Sequence, residues 1–165
     1  MASEAFLFDV TLTNFLESDV AFLVASCDEN QFPIISRGFG ARVSDDCTQL
    51  TVFVTDRQSQ RILADIEKNG HISVNAARIT TYESYQLKGD CARRVELSIK
   101  DQRHVMQYVD DVQSQMLKVG LTPEQAAAVF QSQENENLVG ICFTPRDVFV
   151  QTPGPGAGKR RERGE

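Results

Sequence analysis

Only two histidines, His71 and His104, occur in the 165 residues, which excludes a histidine-rich metal site. Four cysteines, Cys27, Cys47, Cys91 and Cys142, stand 20, 44 and 51 residues apart, with no C-x-x-C pair. That spacing suits neither a zinc site nor a disulfide scaffold, and it predicts reduced thiols in a cytoplasmic protein. No apolar run approaches the ~20 residues of a membrane span. The start, Met1-Ala2-Ser3-Glu4, lacks the charged and apolar regions of a secretory signal. The metalloprotease H-E-x-x-H, the G-x-S-x-G elbow, the P-loop and the dinucleotide G-x-G-x-x-G are all missing. Basic residues are in the minority, 17 against 23 acidic, for a formal charge of −6. Nucleic acid needs a basic footprint, and a polybasic membrane contact needs one too, so neither is an expected partner. The imbalance is uneven: residues 1–158 carry −8 and the last seven residues carry +2.

What is present reads as one globular domain. Apolar residues make up 41% and charged ones 24%, and a chain of this length can bury one core without disulfides or metal. Thr13-Asn14 before Phe15-Leu16-Glu17 predicts a short capped helix. Residues 20–27 form a nearly unbroken apolar run, suited to a central strand buried on both faces. Further strands are expected over 34–43, bent at Gly38 and Gly40, and over 50–54. A helix capped by Thr55 or Asp56 then runs to Asn69 and stops at Gly70.

Residues 71–77 alternate as a fourth strand. A fifth covers 84–90 and extends through 92–99 beyond a bend at Gly89. Val105, Val109, Val112 and Met116 mark one stripe of a helix over 101–118, ended by Gly120. Thr122-Pro123-Glu124-Gln125 is a strong helix start, running to Phe130. A polar linker over 131–137 leads to a sixth strand, 139–150, broken by Pro145. Short links between the early strands favour antiparallel pairing, and six strands suffice for a small barrel. Residues 152–165, with two prolines and a basic end, read as a flexible tail.

For chemistry, the histidines read as structural or surface positions, and the acidic pairs Asp45-Asp46 and Asp110-Asp111 as a turn and a solvated helix face. A cationic set remains. Arg37 lies on the second strand beside Gly38, where a backbone can be approached closely. Ser59, Gln60 and Arg61 fall near the start of a helix, whose N–H groups and dipole favour an anion. Arg is suited to phosphate because its planar fork donates two parallel bonds. The same residues would equally serve as solvent-facing polar positions.

The order of elements, with VAFLVASCDENQFP, ISRGF, FVTDRQSQR and YQLKGD, resembles the pyridoxamine 5′-phosphate oxidase-like family of FMN-binding proteins. The resemblance covers residues 16–90, with a weaker echo at 139–151. It implies a mainly β fold with peripheral helices, a six-stranded antiparallel split β-barrel of Greek-key type. Residues 1–150 would form the FMN-binding domain, with a helical insertion at about 101–130 and a flexible Pro/Gly and basic tail at 151–165.

The resemblance also implies a site. Thr55, Ser59, Gln60 and Arg61 would hold the FMN phosphate, with Gln where the family has Arg and Arg where it has Lys. Arg37, Gln86 and Lys88 would complete the cofactor contacts, and Tyr82 and Tyr85 could stack on the flavin or pack in the core. The implied assembly is a homodimer with FMN at the interface, acting as an oxidoreductase on a small molecule, with no catalytic side chain or metal singled out. A non-enzymatic carrier or sensor of flavin, deazaflavin or haem stays open beside it, as does a bare interaction module. The chain has no tryptophan, whereas vitamin B6 oxidases end in a Trp- and Arg-rich segment, so oxidation of that vitamin is not implied.

Overall fold

Three of the six expected strands are each cut in two at a glycine or a proline, and the halves pass into different sheets. The computed structural model describes residues 6–130 and 137–162. In chain order these form α1 (Val10–Leu16), β1 (Ala21–Cys27), β2 (Pro33–Gly38), β3 (Ala41–Val43), β4 (Leu50–Thr55), α2 (Gln60–Asn69), β5 (Ile72–Ala77) and β6 (Ser84–Gly89). There follow β7 (Arg93–Val95), α3 (Ile99–Lys118), α4 (Pro123–Phe130), β8 (Leu138–Phe143) and β9 (Asp147–Val150).

The strands make a five-stranded antiparallel sheet, β2-β1-β5-β6-β9, and a four-stranded one, β3-β4-β8-β7. Where a six-stranded split barrel was expected, nine described strands lie in two antiparallel ladders, with helices at the periphery as expected. Chain passing between sheets at bends is how such layers turn corners. At the β2–β3 corner a Cβ on Gly38 would sit 2.7 Å from Phe22 Cβ, and Gly40 has φ +98°. Neither place accepts a side chain, so the long run over 34–43 has to break there. Pro145 lies between β8 and β9, where a residue without an N–H cannot continue a ladder.

Helix starts differ from expectation by a few residues. Asp9, not Thr13, caps α1 by accepting from Leu12 N at 2.9 Å. The expected start of α2 at residue 56 is a turn, and the helix proper begins after Ser59, ending on Gly70 in the left-handed conformation at φ +69°. Ser98 and Asp101 form a reciprocal cap on α3. Thr122 and Gln125 do the same for α4, as that four-residue signature suggested.

The core lies between the inner faces of the two sheets, where Phe22, Val24, Val74 and Leu87 meet Leu50, Val52 and Ile141. The four-stranded sheet is covered on its other face as well. There α3 sets His104 edge-on to Phe53 at 6.0 Å and Asp101 against Arg42 at 2.6 Å. All of β4 is buried in consequence. The apolar run expected to be buried on both faces, β1, instead alternates, with Ala21, Leu23, Ala25 and Cys27 on an open outer face.

Residues 151–162, expected to begin a flexible tail, turn back onto β9. Arg161 N donates to Val148 O at 2.7 Å, and Val150 N to Lys159 O at 2.9 Å. The Arg161 guanidinium reaches Asp9 at 2.6 Å. All four cysteines are free thiols. Among the described residues no helix is long and apolar enough to cross a membrane, and no three metal-ligating side chains gather in one place.

Candidate functional site

Paired residues of antiparallel strands point to the same face, so the sheet register sorts the expected site residues directly. On the open face of the five-stranded sheet one cross-strand row reads Arg37, Leu23, Asn75, Gln86, Phe149. The next row reads Ile35, Ala25, Ser73, Lys88, Asp147. Arg37, Gln86 and Lys88 therefore share one face, Arg37 and Gln86 about 14 Å apart at three strand spacings. Gln86 is oriented: its Nε2 donates to Ser73 Oγ at 3.1 Å, and its Oε1 accepts from Gln151 at 3.4 Å. Lys88 Nζ lies 5.4 Å from the Phe149 ring centre. Arg37 lies 5.7 Å from the ring of Phe130, at the end of α4.

Thr55, Ser59, Gln60 and Arg61 form a second group where β4 leads into α2. Ser59 N donates to Thr55 O at 3.1 Å, closing the turn before the helix. The Ser59 hydroxyl does not cap its helix; it lies 3.0 Å from the hydroxyl of Ser36 on β2. Thr55 is buried, and among the described residues its hydroxyl has no hydrogen-bond partner. Gln60 and Arg61 are exposed. The Arg61 guanidinium meets Asp28, in the β1–β2 turn, at 3.3 Å. Backbone N–H groups of Phe32 and then Asn30 hold the Asp28 carboxyl below its ordinary value, with Arg61 adding to them. An exposed ion pair of this kind is weak and easily exchanged for another anion.

The seven residues thus fall into two groups rather than one pocket. Edge strand β2 runs between them: Ser36 faces the α2 start, and Arg37 faces the open side. Gln60 instead borders a groove between α2 and β7, with Arg93 and Arg94. Lys88 borders a cleft of about 420 Å³ with Cys27, His71, Ser73 and Arg146. Of the two tyrosines, Tyr85 belongs to the core, edge-on to Phe15 at 5.0 Å, and burial raises its hydroxyl above the ordinary value. Tyr82 lies exposed in the β5–β6 turn at φ +62°.

Ser36 and Phe130 escaped the reading of the sequence. For Ser36 the period-two alternation along β2 already opposed it to Arg37. For Phe130, apolar at a helix end, no local signal pointed to an arginine more than ninety residues away.

No family model matches the sequence, and no curated protein matches it. Solved structures do match, across nearly the whole chain. HupZ from Group A Streptococcus aligns with a TM-score of 0.54 at 16% identity, over 92% of this chain and 100% of that one. A protein provisionally described as a pyridoxamine 5′-phosphate oxidase, from Lactobacillus delbrueckii, aligns with a TM-score of 0.51 at 11% identity, over 90% and 97% of the two chains. This chain has the pyridoxamine 5′-phosphate oxidase-like fold. General stress protein 26 from Bacillus anthracis aligns with a TM-score of 0.49 at 15% identity, over 84% and 88%. The fold accounts for the strand order and the peripheral helices.

Proposed function

We propose that the protein binds FMN and acts as an oxidoreductase on a small molecule, as a homodimer with the flavin at the subunit interface. The observation that carries this reading is the pair of rows on the open sheet face. They bring Arg37, Gln86 and Lys88, from separate segments, onto one surface in a fold whose structural relatives include a protein described as a pyridoxamine 5′-phosphate oxidase.

The donor chemistry fits an FMN phosphate at the start of α2. The first N–H groups of a helix lack intrahelical partners, the Ser59 hydroxyl does not cap the helix, and the Thr55 hydroxyl in the same turn has no partner among the described residues. Arg61 would turn from Asp28 to the phosphate, and Ser36 would support Ser59 by its 3.0 Å contact. Gln86, already held by Ser73 and Gln151, would present its amide to the ring system, with Arg37 and Lys88 supplying positive charge. Bound FMN would supply hydride or electron transfer, while the protein supplies binding, orientation and electrostatic tuning.

A second copy would cover Leu23 and Ile35, large apolar side chains left exposed on the same face. Exposed apolar surface grouped in this way marks a binding surface. A clustered cationic face also focuses an anion despite the acidic remainder of the molecule.

The test is the visible spectrum of the purified protein and of the supernatant after heat denaturation. Released FMN supports the proposal. A Soret band favours the haem carrier instead, and a colourless protein that takes up no added FMN overturns both.

A further inference from the structure

We propose that Phe130, at the end of the helical hairpin α3–α4, is a positioning residue that orders Arg37 for the cofactor on the open sheet face. This inference rests on the flavin reading above and extends it to a part of the chain that the family resemblance leaves out.

Arg37 is on the edge strand of its sheet and exposed to solvent. Among the described residues no carboxylate pairs with its guanidinium. Its guanidinium carbon lies 5.7 Å from the centre of the Phe130 ring. A free arginine loses much rotamer freedom when a ligand fixes it. A guanidinium held at cation–π distance from an aromatic ring has fewer positions open to it, while its N–H fork stays available to a ligand. Binding is then less opposed by ordering.

Phe130 is itself well anchored. It is 4% exposed and packs edge-on against Phe39 at 6.1 Å. Phe39 in turn sits in the β2–β3 corner, two residues from Arg37, with its N–H on Phe53 O at 2.7 Å. Phe130 thus joins the helix end to the β2–β3 corner, with Arg37 beside the same ring. The hairpin is held to the sheets at a second point, where the Tyr108 hydroxyl donates to Val20 O at 2.9 Å.

A positioning role and a purely structural one separate in a double-mutant cycle. FMN affinity is measured for the wild type, Phe130→Leu, Phe130→Tyr, Arg37→Ala and the Arg37→Ala/Phe130→Leu pair. Phe130→Leu should weaken FMN by roughly three- to fivefold, the range of an exposed cation–π contact. Phe130→Tyr should keep wild-type affinity, and Phe130→Leu should change nothing once Arg37 is Ala. Equal losses from Phe130→Leu in both backgrounds, or no loss in either, would overturn the proposal.

A second measurement needs no variant at Phe130. The side-chain Nε–H resonance of Arg37, assigned by its loss in Arg37→Ala, should carry an upfield ring-current shift in the wild type without ligand. A resonance at the position of free arginine overturns the contact. Failure of the wild type to bind FMN would show itself before any variant is compared; it would remove the flavin reading, and this role with it, even with the shift present.

Discussion

Phe22 and Leu23 are neighbours on β1, yet the first is 1% exposed and the second 48%. The same contrast runs across the whole five-stranded sheet. Its inner face is filled by Phe22, Val24, Val74 and Leu87, which share one buried cluster with the second sheet. Its outer face carries Leu23 and Ile35 beside Arg37, Asn75, Gln86 and Lys88, a mixture that among the described residues is approached by Phe130 and Gln151. The four-stranded sheet shows what covering does, since α3 lies on its outer face and leaves β4 wholly buried. Packing determines the identity of inner residues, whereas the outer ones, on the reading proposed above, are chosen for what they bind.

The contrast is broken most forcefully from the inside. Phe22→Ala should lower unfolding free energy by about 3–5 kcal/mol, the transfer and cavity loss of a fully buried phenylalanine. Urea denaturation measures it. A loss no larger than that of Leu23→Ala would mean that the two faces do not differ as described. Next in size is Arg61→Ala, which should weaken FMN binding by about 1.5–3 kcal/mol, the scale of one charge-assisted hydrogen bond. Thermal stability should stay unchanged, because the Asp28 contact that is lost is exposed. Unaltered FMN affinity in that variant would count against a phosphate site at the α2 start.

The elements were legible in the sequence because their signals are local. Gly70 ends α2 and Thr122 with Gln125 opens α4 through interactions within a few residues. The sheet assignment was not legible. Gly38, Gly89 and Pro145 marked bends, but a bend in a strand and a passage to another sheet look alike until the tertiary partner of each half is known. For the same reason β1 looked buried on both faces: Ala21, Leu23 and Ala25 are apolar whether a helix or nothing covers them. The grouping of the candidate residues was half legible. Arg37, Gln86 and Lys88 do share a face, and Thr55, Ser59 and Arg61 do share a turn. That β2 separates the groups depends on which way Ser36 and Arg37 point, which only the register to β1 decides.

The covered face of the four-stranded sheet offers a smaller effect with a pH signature. Burial alone would raise the Asp101 carboxyl, but bonds from Arg42 and Ser98 outweigh it and hold the group below its ordinary value. The folded state therefore binds this proton less readily than the unfolded chain does. The resulting stability is present above the ordinary carboxylate value of about 3.9 and is lost as pH falls through the lower folded value. Asp101→Ala, which removes its half of the reciprocal α3 cap and the partner of Arg42 while Ser98 still caps the helix, should lose about 1–2 kcal/mol at neutral pH. Thermal melts across pH should show the gap to wild type narrowing below about pH 4, and a gap that widens there would refute the assignment.

The smallest effect is the one that bears most on the open face. Leu23→Ala removes a large apolar side chain from a half-exposed position, and within one subunit this should change unfolding free energy by no more than about 0.5 kcal/mol. If a second copy covers the face, as proposed, the lost area is buried only in the dimer. The deficit then belongs to association and grows with the fraction of protein that is dimeric, because anything binding only the folded state adds stability by mass action. Urea midpoints taken at two widely separated protein concentrations distinguish the cases. A wild-type midpoint that rises with concentration, while that of Leu23→Ala rises less, assigns Leu23 to the subunit interface. Midpoints independent of concentration in both proteins would leave the outer face to the flavin and its substrate alone.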